Sequence, residues 1–359
     1  MEHKNNLTLI VDGNWFLMSR MFVMADKFAK NMPKHAQEAS TAELHDMLAR
    51  SISIMLNKHQ VIDNIVVVSD GGSWRKELPI PKQLEGITYK GSRTQEVELD
   101  WDLIWNSFNS FLNYLQEIGI TVSKGYGIEG DDWAWYWTRR LNENDINTLI
   151  WTSDCDLKQL VQIKGTSFTA WYNDKAGLVL PMQCRPSDDP MEYFMNPPFS
   201  NSATQWLIGM IKPVSYINPD EIAINKILCG DAGDDIKAVI RYRKGSRTYR
   251  FAQKDYEKLI NETGISTVPE LIKNYVKVAK NITSNPKFEK YHFHQNDVEE
   301  MLEYNTKLVW LNEAMIPPTV INKMAAEEYK QIDVLELRNN YRVMVKTEMD
   351  MNDIFNDAI

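Results

Sequence analysis

Leu7-Thr8-Leu9-Ile10-Val11-Asp12-Gly13 is a short apolar run, rich in β-branched residues, that stops at an aspartate and a glycine. Such a run reads as a buried strand whose carboxyl end carries a charged side chain. The arrangement recurs: Ile65-Val66-Val67-Val68 ends in Ser69-Asp70, and Leu149-Ile150-Trp151 ends in Thr152-Ser153-Asp154. Ile120-Thr121-Val122 is a further short strand. Between these runs the apolar spacing becomes helical, over Thr41 to Lys58 (Leu44, Met47, Leu48, Ile52, Met55, Leu56), Trp101 to Ile118, Glu129 to Leu141, and near Asp156 to Gln162. The acidic start at Glu129 suits a helix N-terminus. This alternation predicts an α/β domain with a mostly parallel central sheet. Gly71 to Val97, rich in glycine, proline and charge, reads as a long excursion off that sheet.

The remaining composition narrows the possibilities. The chain has 359 residues, 43% hydrophobic and 25% charged, which is ordinary globular usage and excludes a fibre or a low-complexity scaffold. Lys plus Arg is 40 against Asp plus Glu 49, a net charge of −9, so binding nucleic acid by bulk basicity is excluded. An enzyme with a local basic surface and an acidic ion site is not. Cys155, Cys184 and Cys229 form no CxxC pair, which argues against a disulfide framework or a structural zinc site and for a reducing cytoplasm. No run approaches the roughly 20 apolar residues of a membrane helix, so no membrane association is expected. After about residue 185 the pattern changes to mostly helical, with runs at Ser202 to Ile211 and Asp220 to Leu228.

The carboxylates are the informative residues. Asp12, Asp70 and Asp154 stand at strand ends, which share one edge in a parallel sheet, and ligand sites lie at that edge. Glu129-Gly130-Asp131-Asp132 opens a helix, Asp154-Cys155-Asp156 closes a strand, and Gly230-Asp231-Ala232-Gly233-Asp234-Asp235 follows a helix. Taken singly, each is ordinary cap or turn chemistry. Converging, they would repel strongly unless a cation joined them. Oxygen-only ligands favour Mg²⁺ or Mn²⁺, and two such ions about 4 Å apart are an apparatus for phosphodiester hydrolysis. No stretch fits the EF-hand loop.

Six motifs in order carry a resemblance spanning roughly residues 7 to 245: Val11-Asp12-Gly13; Ser69-Asp70 followed by Trp74-Arg75-Lys76; Tyr89-Lys90-Gly91-Ser92-Arg93; Glu129 to Asp132; Thr152 to Asp156; and Gly230 to Asp235. The chain resembles the 5′-nuclease family of flap endonucleases, polymerase-associated 5′-nucleases and phage 5′-exonucleases. Leu228-Cys229-Gly230-Asp231 and Leu308-Val309-Trp310-Leu311-Asn312 look closest to the T-even phage ribonuclease H branch. The resemblance implies a PIN-like α/β fold with an arch and a helical C-terminal part. It divides the chain into a core over 1–185 with the arch at about 71–100, a helical DNA-binding part over 186–335 and a tail over 336–359. It implies two Mg²⁺ ions, with Mn²⁺ as a substitute. Asp12, Asp70, Glu129 and Asp131 match the first-ion carboxylates, Asp154, Asp156, Asp231 and Asp234 the second, and Asp132 a further acidic position. Asp235 stands where the family has asparagine and takes no ligand role. Lys90 and Arg93 match the basic residues beside the scissile phosphate, where a cation stabilises developing charge. Arg75, Lys76 and Tyr89 are candidates for substrate contact.

The chain also departs from the family. The glycine-rich, potassium-binding hairpin that usually follows the Gly-Asp motif is replaced by Ile236 to Arg247, with Ala238 and Val239 at its start. From Lys237 to Lys258 the chain carries eight positive and two negative residues, net +6, interleaved with Tyr242, Tyr249 and Phe251. Lys237, Arg241, Arg243, Lys244 and Arg247 are read as a surface that tracks duplex phosphates. The expected substrates are DNA with 5′ ends or flaps and RNA–DNA hybrids, including RNA primers at a phage-type replication fork, cut by a monomer. The alternating acidic and apolar tail Met349 to Ile359 is a candidate dock for a sliding clamp or a single-stranded-DNA-binding protein. Two alternatives share parts of the pattern. A PIN-type ribonuclease lacks the Tyr89-to-Arg93 basic element. A catalytically silent junction binder requires a missing first-ion carboxylate, and none is missing.

Overall fold

The computed structural model describes residues 6–345 except 31, 85, 93–97, 126, 186–201, 245 and 290; the side chains of 202, 204, 243, 244 and 247 are also outside the description. The chain forms two compact units, Met1–Gly72 with Gln95–Ile217 and Asn322–Ile359, and Ser73–Thr94 with Asn218–Ile321.

The first unit is built on one sheet. Its strands are β1 (Leu7–Asp12), β2 (Asn64–Ser69), β3 (Thr121–Lys124), β4 (Asn147–Trp151), β5 (Gln162–Lys164), β6 (Ser167–Asn173), β7 (Gly177–Pro181) and β8 (Val214–Ile217), in the order β3-β2-β1-β4-β6-β7-β8 with β5 beside β6. β3, β2, β1, β4 and β6 are parallel; β5 and β7 each run antiparallel to β6, and β8 is parallel to β7. The expected mostly parallel α/β fold is therefore present. Helices α1 (Gly13–Met21), α2 (Lys34–Lys58), α3 (Trp101–Glu117) and α4 (Gly130–Asn142) make the connections. Leu44, Leu48, Ile52, Phe108 and Leu115 from α2 and α3 are buried with Leu9, Val11, Ile65 and Val67 from the central strands. The helical periodicity thus pays its entropy by covering a strand face that is apolar along its whole length.

Beyond β4 the sequence expectation fails. The helix expected at Asp156 to Gln162 is a 3₁₀ turn, Asp156–Leu160, and β5 to β8 follow it. β6 reads Ser-Phe-Thr-Ala-Trp-Tyr-Asn, yet every residue is buried. Its polar groups are satisfied by tertiary partners: Thr169 Oγ1 meets Thr148 Oγ1 and Asn142 Oδ1 at 2.8 Å each, and Ser167 Oγ donates to the Asn142 carbonyl at 3.0 Å. A polar side chain with such partners is buried at little cost.

The amino edge of the sheet is closed by the returning C-terminal segment. Tyr329 Oη lies 2.8 Å from Thr8 Oγ1, Asn64 Nδ2 donates to the Lys330 carbonyl at 3.0 Å, and Lys330 N donates to Thr121 Oγ1 at 2.9 Å. This clasp touches the starts of β1, β2 and β3 and leaves their carboxyl ends for other groups. Residues 322–335, expected with the helical part, thus belong with the sheet.

The second unit is mostly helical, with α5 (Pro219–Cys229), α6 (Gln253–Thr263), α7 (Tyr275–Thr283) and α8 (Gln295–Val309) around Ile227, Leu259, Val278, Leu302 and neighbouring apolar residues. It also contains a hairpin that helical expectation missed, β9 (Arg241–Lys244) and β10 (Arg247–Arg250), with Tyr242 opposite Tyr249. Both tyrosines lean on Tyr291, at ring-centroid distances of 4.3 and 5.8 Å. The segment Ser73–Thr94, expected with the sheet, groups here: Leu84 and Tyr89 join the core, and Gln83 Nε2 donates to the Asp297 carbonyl at 2.8 Å. No helix among the described residues is long and apolar enough to cross a membrane.

Candidate metal centre

In the first unit, the parallel register decides which side chains meet. β1 lies between β2 and β4, with Asp12 opposite Val68 and Val11 opposite Trp151. Asp12, Asp70 and Asp154 therefore stand on one carboxyl edge. Asp12 caps α1, accepting at Oδ1 from Trp15 N (3.2 Å) and at Oδ2 from Thr152 Oγ1 (2.6 Å). The same hydroxyl accepts from Asp154 N at 2.8 Å, so one threonine ties two acidic segments together. Asp70 accepts at Oδ1 from Gly130 N (2.6 Å) and at Oδ2 from Asn14 Nδ2 (2.7 Å). Asn14 Oδ1 in turn accepts from Asp70 N (3.1 Å) and Ser69 Oγ (2.9 Å). A Cβ on Gly130 would stand 3.2 Å from Asp70 Oδ1, so glycine lets the start of α4 approach this closely. Asp154 Oδ1 accepts from Asp156 N at 2.8 Å.

Burial pushes the Asp12 carboxyl up to about 6, and the charges of Asp154 and Asp70 push the same way. The hydrogen bonds from Thr152 and Trp15 offset part of this. Asp12 thus senses the charges of Asp70 and Asp154, and a cation would compensate them. Every donor atom in this group is a carboxylate oxygen, which suits Mg²⁺ or Mn²⁺. Glu129 is buried and Asp131 half-buried at the start of α4. Asp132, expected among the ion carboxylates, is fully buried and accepts from the Glu129 N–H at 3.4 Å, the capping-box position of its own helix.

In the second unit, the chain leaves α5 at Gly230, whose φ of +75° carries a backbone that side chains rarely adopt. Asp231 and Ile236 then exchange two backbone hydrogen bonds at 2.8 Å, closing the intervening residues into a loop. Asp231 accepts from Gly233 N (2.8 Å) and pairs with Lys226 Nζ (2.5 Å). Asp234 Oδ2 lies 3.4 Å from Tyr89 Oη and 4.0 Å from Lys90 Nζ. Asp235 Oδ2 accepts from Ser92 N and Ser92 Oγ, both at 2.7 Å, and Oδ1 from Lys237 Nζ at 3.3 Å. The Ser92 bonds hold the Asp235 carboxyl below the usual carboxylate range, aided by Lys237.

Some expected substrate contacts are placed elsewhere. Arg75 is 2% exposed; its Nε donates to the Leu308 carbonyl (3.0 Å) in the last turn of α8, and its guanidinium lies 4.6 Å from the Trp74 ring. It holds a helix C-terminus instead of facing a phosphate. Tyr89 is buried, with Lys90 Nζ 4.9 Å from its ring, and presents no face to a base. Lys76 and Arg241 are exposed. Lys237 is engaged by Asp235. Arg93, the side chains of Arg243, Lys244 and Arg247, and the tail Met349 to Ile359 lie outside the described residues. The residues that sequence reasoning missed are the holders: Asn14, Thr152, Lys226 and Asp235. Asn14, two residues after Asp12, and Thr152, two before Asp154, carried a weak signal as hydrogen-bonding residues beside strand-end aspartates.

Residues 7–181 match the family model of the 5′-3′ exonuclease N-terminal resolvase-like domain. No curated protein matches the chain. Among solved structures, the T5 D15 protein co-crystallised with metal ions is similar at a TM-score of 0.50 and 17% identity, covering 98% of this chain and 100% of that one. The bacteriophage T5 D15 flap endonuclease in a pseudo-enzyme–product complex with DNA and metal ions aligns at a TM-score of 0.49 and 18% identity, over 93% of this chain and 100% of that one. At 17% identity the likeness to the first of these is one of fold. The matching family model is one of 5′-3′ exonucleases and covers residues 7–181, just under half of this chain.

Proposed function

We propose that the chain is a divalent-metal-dependent, structure-specific 5′-nuclease that acts on 5′ ends and flaps of DNA and on RNA–DNA hybrids, removing RNA primers during phage-type replication. The observation that carries this reading is the strand-edge group Asp12, Asp70 and Asp154, held within the stretch that matches the exonuclease family. We assign ion binding to Asp12, Asp70, Glu129, Asp131, Asp154 and Asp156 in the first unit and, from the family resemblance alone, to Asp231 and Asp234 in the second. Two bound Mg²⁺ ions supply Lewis-acid stabilisation of the phosphodiester and a water of lowered pKa.

The chain's own residues do the rest. Thr152 and Asn14 fix the rotamers of Asp12 and Asp70, so that ion ligands are aimed before an ion arrives. Lys90 places a positive charge where the phosphate gains negative charge, and Arg93 is assigned the same task. The basic stretch around β9 and β10 follows duplex phosphates without reading bases. The likeness of Leu228 to Asp231 to the T-even ribonuclease H branch supports RNA primers among the substrates.

The test is cleavage of a 5′-labelled flap duplex, and of an RNA-primed strand, with and without Mg²⁺. Short 5′ products that require Mg²⁺ and vanish in Asp154→Ala are expected. Cleavage of single-stranded RNA without need of a 5′ end would replace this reading with a PIN-type ribonuclease. Tight flap binding with no cleavage would replace it with a silent junction binder.

A further inference from the structure

Asp235 occupies a position where the sequence pattern assigned no role, yet it is one of the most committed carboxylates in the second unit. Its Oδ2 takes both donors of Ser92, the backbone N–H and the hydroxyl, at 2.7 Å each. Two residues away in the same loop, Lys90 N donates to the Asp234 carbonyl at 2.9 Å. Lys90 and Asp235 both have left-handed backbones, at φ of +55° and +60°. Side-chain-bearing residues enter that region only where surrounding bonds hold them. Here the bonds run between the two residues' own loops. The 89–92 turn and the 234–235 turn are thus latched together, with the Lys90 backbone N–H itself one of the bonded points.

We infer that Asp235 is a positioning residue for Lys90: by gripping Ser92 it fixes the turn that aims the lysine at the phosphate being cut. The inference rests on the nuclease reading above for the lysine's task, but the latch itself stands on the geometry of the second unit. Two features separate it from general loop packing. The grip uses a backbone donor as well as a side chain, so it fixes the path of the chain. It also needs only an oxygen acceptor, so Asp235→Asn keeps it and Asp235→Ala does not.

The experiment compares single-turnover flap cleavage, Mn²⁺ binding and amide hydrogen exchange in wild type, Asp235→Ala, Asp235→Asn, Lys90→Ala and the Lys90→Ala/Asp235→Ala pair. Asp235→Ala is expected to lower kcat about 10- to 100-fold, the scale that a misplacement of about 1 Å costs, with KM and Mn²⁺ binding near wild type. Asp235→Asn is expected to recover to within a fewfold. In the Lys90→Ala background, Asp235→Ala should add no further loss, because it acts through the lysine. Exchange of the amides over 90–92 should quicken in Asp235→Ala and stay slow in Asp235→Asn. Multiplying losses in the pair, or lost Mn²⁺ binding in Asp235→Ala, would overturn the inference. If wild type cleaves no 5′ substrate, the nuclease reading falls, and the exchange data still decide the latch: unaltered exchange in Asp235→Ala would remove it.

Discussion

The acidic groups of the two units are prepared in opposite ways. On the sheet edge of the first unit, Asp12 is held by a hydroxyl and a backbone N–H, and burial, with a smaller push from Asp154 and Asp70, raises its pKa. In the 231–235 loop of the second unit, each of the three aspartates lies against a lysine: Asp231 with Lys226, Asp234 with Lys90, Asp235 with Lys237. The first arrangement aims carboxylates with neutral donors: Thr152 and Trp15 N for Asp12, Asn14 and Gly130 N for Asp70. The second compensates charge within the chain. An ion bound at the sheet edge would relieve repulsion there, whereas an ion at Asp231 or Asp234 would compete with an ammonium already in place. Preorganisation by neutral donors and by cations are distinct strategies, and they respond differently to mutation.

The sharpest contrast is expected in catalysis. Asp154→Ala should lower flap cleavage by on the order of 10³-fold, because it removes one of the strand-edge carboxylates proposed to hold the ion. Lys90→Ala should cost about 10²-fold in kcat with flap binding retained, read in single-turnover assays. A larger fall in binding than in kcat would make Lys90 a general phosphate anchor and blur the comparison.

Ion affinity comes next. Thr152→Val removes the hydroxyl that serves both Asp12 and Asp154, and should weaken Mn²⁺ binding roughly tenfold by calorimetry, the scale of lost supporting bonds to metal ligands. Thr152→Ser should restore it. Equal affinities in all three proteins would show that the sheet-edge carboxylates need no aiming.

A separate effect is on stability. The Asp12 carboxyl sits at about 6 in the folded chain against an ordinary 3.8, so the folded state holds a proton that the unfolded state has lost. Metal-free protein should therefore have this stabilisation in full below about pH 4 and lose it as pH rises through about 6, with little further change above that. The limiting size is about 3 kcal/mol, less the screening of a partly accessible group. Asp12→Asn should stabilise metal-free protein at pH 8 and flatten this dependence in urea titrations. A less stable Asp12→Asn at pH 8 would mean that the capping bonds outweigh the buried charge.

The legible parts of the molecule are those whose physics is local. β1, β2 and β4 announce themselves because each is an apolar run ending near an aspartate, and the same runs place Asp12, Asp70 and Asp154 together. β6 is illegible because Ser167 and Thr169 are buried with tertiary partners, Asn142 for both and Thr148 on another strand for Thr169. The β9–β10 hairpin offers no alternation of apolar and polar residues, and its Tyr242 finds a stacking partner only in distant Tyr291. Arg75 and Tyr89 look like surface residues in a basic stretch, and only packing against α8 and Asp234 reveals otherwise. The Asp235–Ser92 grip joins residues 143 positions apart, a distance over which no spacing rule operates.

The most direct measurement is a Mn²⁺ titration of metal-free wild type and Asp12→Asn, followed by electron paramagnetic resonance. Saturable binding in wild type, weakened at least about tenfold in Asp12→Asn, is the expected result if strand-edge carboxylates hold the ion. Binding that is absent in wild type, or unchanged in Asp12→Asn, would contradict it.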